Sequence, residues 1–473
     1  MKLYVNVATR IRAMIDEGVL RPGEKIFSLR QASQKYAVSI STIIKAYEML
    51  ESDGIINSHP QSGYYVSAPK PTHSKRKDIQ PKPEAELTQA ELVLSTLRSI
   101  REFGTVPLGS PFPDAHLFPI KKIHNYEKAL NADEAGWGVL NDLPPGNESL
   151  RQQIAKRYLE NGLDISPNDI VITHGATEAI NLCLQAVAKP GDTIALEAPG
   201  YYALAQAVER MGMRVAEVRT HPTEGIELDA LSALIQNVKV AAVLLTANFQ
   251  NPTSALMPDD KKKALVALLA QHQIPLIEDD VYQELCFGDV TPKPLKAYDE
   301  QGLVLHCSSF SKSLAPGYRV GWTTAGRYGK DVERLMFLNS LSIPSAPQIA
   351  IAKFMKRDSF EQHLKSLRHT LKSNCVLMRT AIEDSFPKGT KISIPTGGYV
   401  VWLELPEEID SLNLYQQCLE KGISIAPGPL FTRKKELTNY IRLNFSHQWT
   451  PSIEQAVRTV GSLARKMLAN HST

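Results

Sequence analysis

The stretch Leu303-Val-Leu-His-Cys-Ser-Ser-Phe-Ser-Lys-Ser-Leu-Ala-Pro-Gly-Tyr-Arg-Val-Gly-Trp322 decides how this chain is read. It begins as a short apolar run, the pattern of a buried strand. It then breaks into small hydroxyl residues around Lys312, turns at Pro316-Gly317 and reaches Arg319. A lysine at a strand end, flanked by Ser309, Ser311 and Ser313, has a specific chemical use. A desolvated ε-amine loses its proton more easily and condenses with an aldehyde to a Schiff base. The hydroxyls and Arg319 suit an anion held beside it. The same residues alone also describe a surface lysine in a polar loop, so the answer depends on what the rest of the chain supplies.

An α/β pattern surrounds the stretch. Glu148–Glu160 reads as an amphipathic helix, and Ile170–Thr173 as a strand. A helix follows from Gly175, with small residues at its start, where backbone amides suit a phosphate and Thr177 adds a hydroxyl. After the strand Thr193–Leu196, Tyr201 and Tyr202 lie in a turn, placed either to stack on a ligand or to pack in the core. The strand Val240–Thr246 leads to Asn248-Phe-Gln-Asn251-Pro-Thr, and the strand Ile274–Ile277 leads to Glu278-Asp279-Asp280-Val-Tyr282. Consecutive acids after an apolar strand are costly to bury unless paired, and a protonated pyridine nitrogen is a suitable partner for one of them. Ligands in open α/β sheets gather at such strand ends.

The set resembles the fold-type I pyridoxal-phosphate (PLP) enzymes, in particular the class I/II aminotransferases. The motifs are Pro145-Gly146-Asn-Glu-Ser-Leu-Arg151, Gly175-Ala-Thr177, Asn251-Pro-Thr253, Asp279-Asp-Val-Tyr282, Ser309-Phe-Ser-Lys-Ser, Arg319-Val-Gly-Trp322 and Ile441-Arg442-Leu-Asn-Phe. The resemblance implies that Lys312 carries PLP as a Schiff base. It makes Asp279 the partner of the pyridinium nitrogen, and Asn251 and Tyr282 donors to the ring oxygen. Ala176, Thr177, Ser309 and Arg319 would hold the phosphate, and Tyr201 would stack on the ring. Arg442 is the expected clamp for an amino-acid α-carboxylate. Asn141 stands where many aminotransferases carry a tyrosine that reaches the neighbouring subunit's phosphate.

At 473 residues, 43% of them hydrophobic, the chain has room for two to four domains. No apolar run reaches the ~20 residues that span a bilayer, and Met1-Lys-Leu-Tyr-Val-Asn lacks a signal-peptide pattern. The five cysteines form no CxxC pair, which argues against a disulfide framework and against a zinc or other metal site. A reducing cytoplasm fits best. The net charge of +3 is uneven. Residues 1–82 hold 13 Lys+Arg against 7 Asp+Glu (+6), and the remainder holds 40 against 43 (−3). A basic N-terminal part favours an anionic partner, nucleic acid first.

That part has its own pattern. Helices are expected from Leu3 to Glu17, from Ser28 as N-cap, and from about Ser41 to Ser52, with Ile43, Tyr47 and Leu50 as the buried stripe of the third. Two short strands, Ile55–Asn57 and Tyr64–Val66, close a hairpin. The arrangement resembles the winged helix-turn-helix of the GntR family, through Gly18-Val-Leu-Arg-Pro-Gly23, Ser28-Leu-Arg30, Val38-Ser39, Thr42-Ile-Ile-Lys-Ala-Tyr47, Leu50-Glu-Ser-Asp-Gly54 and Ser62-Gly63-Tyr-Tyr-Val66. The resemblance implies DNA contacts at Arg30, Ser39, Ser41, Thr42 and Lys45, with Gln61 and Gly63 in the wing. Ile40 stands where many members carry arginine.

The expected domains are therefore a winged helix-turn-helix at 1–68, a Pro/Lys-rich tether at 69–90 containing Lys75-Arg76-Lys77, and an aminotransferase-like α/β domain at 91–473. The last combines a large mixed-sheet part with a small α+β part. This order resembles that of the MocR-type regulators. It implies a homodimeric, DNA-binding transcription factor that binds PLP and responds to it or to an amino-acid or amine effector. The alternative is a working aminotransferase with an accessory DNA-binding module, because every core catalytic position is filled.

Overall fold

The computed structural model describes residues 2–59, 62–67, 89–100, 104–130, 143–357, 360–434 and 436–471. The chain divides into two compact units, residues 1–81 and 82–473. The tether's basic cluster, Gln61 and Asn141 lie outside the described residues.

In the first unit, helices α1 (Leu3–Asp16), α2 (Leu29–Tyr36) and α3 (Ile40–Ser52) precede an antiparallel hairpin of β1 (Ile56–His59) and β2 (Gly63–Val66). Ser28 caps α2 in a reciprocal capping box: its Oγ accepts from Gln31 N at 3.4 Å, and Gln31 Oε1 accepts from Ser28 N at 3.0 Å. Ser39 caps α3, accepting from Thr42 N at 3.2 Å. α3 thus starts at Ile40, one residue before its expected first turn. Val7, Ile11, Ile43, Tyr47, Leu50, Ile56 and Val66 form the core. The Tyr47 hydroxyl donates to Phe27 O at 2.7 Å, which satisfies its buried polar tip. β1 runs two residues beyond its expected end, its pairing with β2 extending to His59↔Gly63.

The second unit contains, among the described residues, an eight-stranded sheet. Its strands are β3 (Val171–Thr173), β4 (Thr193–Ala198), β5 (Arg214–His221), β6 (Gly225–Ile226), β7 (Val240–Leu245), β8 (Leu276–Asp279), β9 (Val304–Ser309) and β10 (Gly321–Thr324), in the order β3-β10-β9-β8-β7-β4-β5-β6. The strands β5, β4, β7, β8 and β9 are parallel, and β10 runs antiparallel to both its neighbours. Strands β8 and β9 are buried along their whole length, as expected where helices cover both faces of a sheet. A second, antiparallel sheet of β11 (Lys391–Ile392), β12 (Val400–Glu404), β13 (Ala426–Pro427) and β14 (Tyr440–Asn444) has the order β11-β12-β14-β13. The helices Phe360–Ser385 and Pro451–His471 pack on each other.

Three local differences from the sequence reading have physical causes. A helix, Gln89–Ser99, starts inside the stretch read as tether, because Leu92 and Val93 bury against Tyr202 and Trp402. Tyr202 opens the helix Tyr202–Arg210 instead of lying in a turn. Glu278 and Asp279 belong to β8 itself. Glu278 is tolerated there because its oxygens accept from Leu295 N at 2.7 Å and Lys296 N at 3.2 Å.

Candidate functional site

The carboxyl ends of β4, β7, β8 and β9 and the start of the helix Ala176–Val187 surround one cavity of about 310 Å³. Ala176, Thr177, Tyr201, Asn251, Asp279, Tyr282, Ser309, Lys312 and Arg319 all line it. Residues up to 143 positions apart in sequence are brought together because parallel strands end on the same edge.

Lys312 is half-buried, and its Nζ donates to Pro111 O at 2.9 Å. Burial pushes its amine down to about 7, against the opposing pull of Asp279 and with help from Arg442 and Arg319. Asp279 is pushed up to about 7 by burial and by Asp280, with Lys312 and His306 opposing. Its Oδ1 is buried and lacks a hydrogen-bond partner. A buried carboxylate oxygen without a donor is costly, so this atom suits a cationic partner such as a protonated ring nitrogen.

An anion cup lies across the cavity. Arg319 adopts a left-handed conformation, φ 52°, and its Nη1 donates to Ser311 Oγ at 3.0 Å. Gly175, φ +82°, makes room for that guanidinium: a Cβ there would lie 2.6 Å from Arg319 Nη2. Asn251 Nδ2 donates to Tyr282 Oη at 3.3 Å, and Asn251 Oδ1 accepts from Arg442 Nη1 at 3.0 Å. Arg442 is buried on β14 behind Asn251, and its Nη2 donates to Gly109 O at 2.5 Å. It does not line the cavity, but its buried Nε lacks a partner. The buried amine, the orphan carboxylate oxygen, the Arg319–Ser311 pair and the Asn251–Tyr282 pair are groups that fit pyridoxal phosphate.

Several residues around the site escaped the sequence reading. Phe112 and Thr246 line the cavity, and Tyr399 Oη donates to the same Pro111 oxygen that Lys312 uses. Behind the sheet, Asp280 accepts from Asn248 Nδ2 at 3.0 Å and pairs with His306 Nε2 at 3.1 Å, while His306 Nδ1 lies 2.7 Å from Tyr158 Oη. The acid run did signal buried partners, but not which ones.

In the first unit, Ser39, Ser41 and Lys45 are exposed on the N-terminal half of α3, Thr42 is half-buried, and Arg30 is exposed on α2. Gly63, φ +106°, opens β2 with Lys25 Cε 3.2 Å from where its Cβ would be. Lys25 also lies over the Tyr65 ring at 5.9 Å, a basic contribution to the wing that the motif pattern did not single out.

Residues 3–66 match the bacterial regulatory proteins of the gntR family, and residues 125–460 match aminotransferase class I and II. The uncharacterized HTH-type transcriptional regulator YdcR of Escherichia coli (strain K12) is 40% identical over 99% of this chain and 100% of its own length. The chain belongs to the MocR-type regulators. HTH-type transcriptional regulator NorG of Staphylococcus aureus (strain USA300) is 28% identical over 94% of this chain and 100% of its own. Among solved structures, the multiple substrate aminotransferase of Thermococcus profundus has a TM-score of 0.74 at 25% identity, covering 82% of this chain and 98% of its own. The α-aminoadipate aminotransferase LysN of Thermus thermophilus, complexed with N-(5'-phosphopyridoxyl)-L-leucine, has a TM-score of 0.73 at 27% identity, covering 82% and 99%. As a MocR-type regulator the protein is a DNA-binding transcription factor with a PLP-binding, fold-type I domain. No helix among its described residues is long and apolar enough to cross a membrane.

Proposed function

We propose that this protein is a cytoplasmic, homodimeric regulator in which Lys312 makes the covalent link to PLP and an amino-acid or amine effector is sensed at the same cavity. The observation that carries this reading is the pairing of a depressed lysine amine with an orphaned Asp279 oxygen in one cavity. When bound, PLP supplies an aldehyde that condenses with amines and a ring that withdraws electrons. The chain's own residues prepare for it. Lys312 is held neutral enough to act as a nucleophile, and Asp279 supports positive charge at the ring nitrogen. Tyr282 and Asn251 donate to the ring oxygen, and Tyr201 covers the ring face. Arg319, Ser309, Thr177 and the Ala176 amide hold the phosphate. Arg442 receives an effector carboxylate once its bonds to Asn251 and Gly109 yield. On α2, α3 and the wing, Arg30, Ser39, Ser41, Thr42, Lys45, Gln61 and Gly63 form the DNA contact surface. A dimer presents two such surfaces and so reads two half-sites. Effector binding changes operator affinity only as far as it distinguishes two states of the protein.

The filled catalytic positions also support the reading as a turnover aminotransferase. Footprinting on the DNA flanking its own gene, with and without PLP and candidate amines, is paired with a steady-state transamination assay. Ligand-dependent protection with slow or no turnover supports the regulator. Rapid turnover with no specific protection overturns it. Lys312→Ala removes the visible absorbance of the lysine-linked cofactor and leaves the winged-helix unit folded. Retention of that absorbance overturns the assignment of Lys312.

A further inference from the structure

We propose that Ile40, backed by Ile44, reads thymine methyl groups in the major groove, so that each operator half-site carries an A·T pair where α3 begins. This rests on the DNA-binding role of α3 and adds the chemistry of the base that it reads.

The inference comes from the make-up of the exposed face of α3. Ile40 is its first residue and is 44% exposed. A spacing of four places the half-buried Ile44 on the same face, one turn further in. Arginine, glutamine and asparagine, bidentate readers of guanine or adenine, are absent between Ser39 and Ser52, and lysine, which can also read guanine, occurs there once, as Lys45. The hydroxyls beside Ile40 are engaged with each other. Ser39 Oγ lies 2.9 Å from Ser41 Oγ and 2.8 Å from Thr42 Oγ1, and it also caps the helix. They are placed to hydrogen-bond phosphates, which positions the helix without choosing a sequence. Ile40 is thus the large apolar side chain exposed at the N-terminal end of α3, the end that meets base edges, and Lys45, one turn on from Ser41, is the cation of the neighbouring stripe.

A β-branched side chain is stiff and loses little rotamer freedom on docking. On the major-groove edge of a base pair, the thymine C5 methyl is the apolar group. Ile40 against that methyl removes two apolar surfaces from water, whereas Ile40 against a guanine or cytosine edge would desolvate polar atoms without giving them a partner.

The test uses the full-length, PLP-loaded protein. Binding sites are selected from a random duplex library with wild type, Ile40→Ala and Ile40→Arg. The wild-type consensus is expected to hold a thymine at one fixed position of each half-site. Replacing it by deoxyuridine removes only the methyl group and keeps base pairing. That change should weaken wild-type binding about fourfold, the equivalent of one buried methyl, and leave Ile40→Ala unchanged. Ile40→Arg should move the preference at that position to guanine. Ile40 lies outside the core, so both variants should melt as wild type does.

If the wild type selects a specific site but deoxyuridine at every thymine leaves affinity unaltered, the Ile40 assignment is overturned while the DNA-binding reading stands. The same holds if Ile40→Ala selects and binds the site as wild type does, the result expected if this face instead docks a protein. If no duplex is enriched above non-specific binding, both fall.

Discussion

Gly175→Ala isolates the anion cup from the rest of the site. Gly175 sits at φ 82°, ψ 172°, a region that is essentially glycine's own, so alanine there strains the backbone by about 1–3 kcal/mol. The added Cβ would also lie 2.6 Å from Arg319 Nη2 and 3.1 Å from Cζ. The guanidinium must then leave the position in which Ser311 holds it. Losing one hydrogen bond from a charged donor to the phosphate costs about 1.5–3 kcal/mol, or roughly 10- to 150-fold in PLP affinity. The assay is titration of PLP into the stripped protein, followed by absorbance, with thermal unfolding in parallel. Gly191→Ala is the control. Gly191 has φ +89°, also positive, but nothing lies within 4 Å of where its Cβ would be. It should lower the thermal midpoint by a few degrees and leave PLP affinity intact. If Gly175→Ala binds PLP within twofold of wild type, the argument that Gly175 exists to seat Arg319 is refuted.

Three further outcomes follow from the site. The Lys312 amine is depressed from its ordinary 10.5 to about 7, so its neutral fraction, and with it the rate of PLP capture, should rise with pH up to about 7 and level off above; a rate still climbing steeply at pH 9 would contradict this. Glu197 is buried, with Oε1 accepting from Thr246 N at 3.1 Å and Oε2 unpartnered, and burial raises it from 4.5 to about 8. Between those values the unfolded chain is ionised while the folded chain keeps its proton, so stability falls as pH rises, by at most about 1.4 kcal/mol per unit. Glu197→Gln should flatten that fall between pH 5 and 8 in thermal unfolding, and an unchanged slope would show that Glu197 does not set it. Arg442→Gln should abolish the response of operator binding to amino-acid effectors while changing PLP affinity by no more than a few-fold, because Arg442 lies behind Asn251 and outside the cavity; loss of PLP binding would instead assign it to cofactor retention.

How far the sequence could be read depended on how local each feature is. The cap at Ser28, the buried stripe of α3 and the turn at Pro316-Gly317 depend on neighbours within a few residues, so their patterns were legible. The strand-end motifs were legible for a related reason. A parallel sheet puts every carboxyl end on one edge, so residues named one motif at a time converge on one cavity. The helix Gln89–Ser99 was not legible because Leu92 and Val93 owe it to packing on Tyr202 and Trp402, more than a hundred positions away.

By itself, the sequence determined that a basic winged-helix unit precedes an α/β domain with a reactive lysine, an acid and an arginine at strand ends. Only the tertiary structure decided that Lys312 is held by Pro111, 201 residues away, and that Asp279 keeps one oxygen without a partner. It also decided that Gly175 is the space Arg319 occupies, that Arg442 waits behind Asn251, and that Ile40 is exposed at the start of α3 while the hydroxyls next to it bond to one another. The reason is physical. Propensity and capping are short-range preferences written into adjacent residues, whereas burial, orphaned polar atoms and close approach arise only when distant segments pack, and no local pattern encodes them.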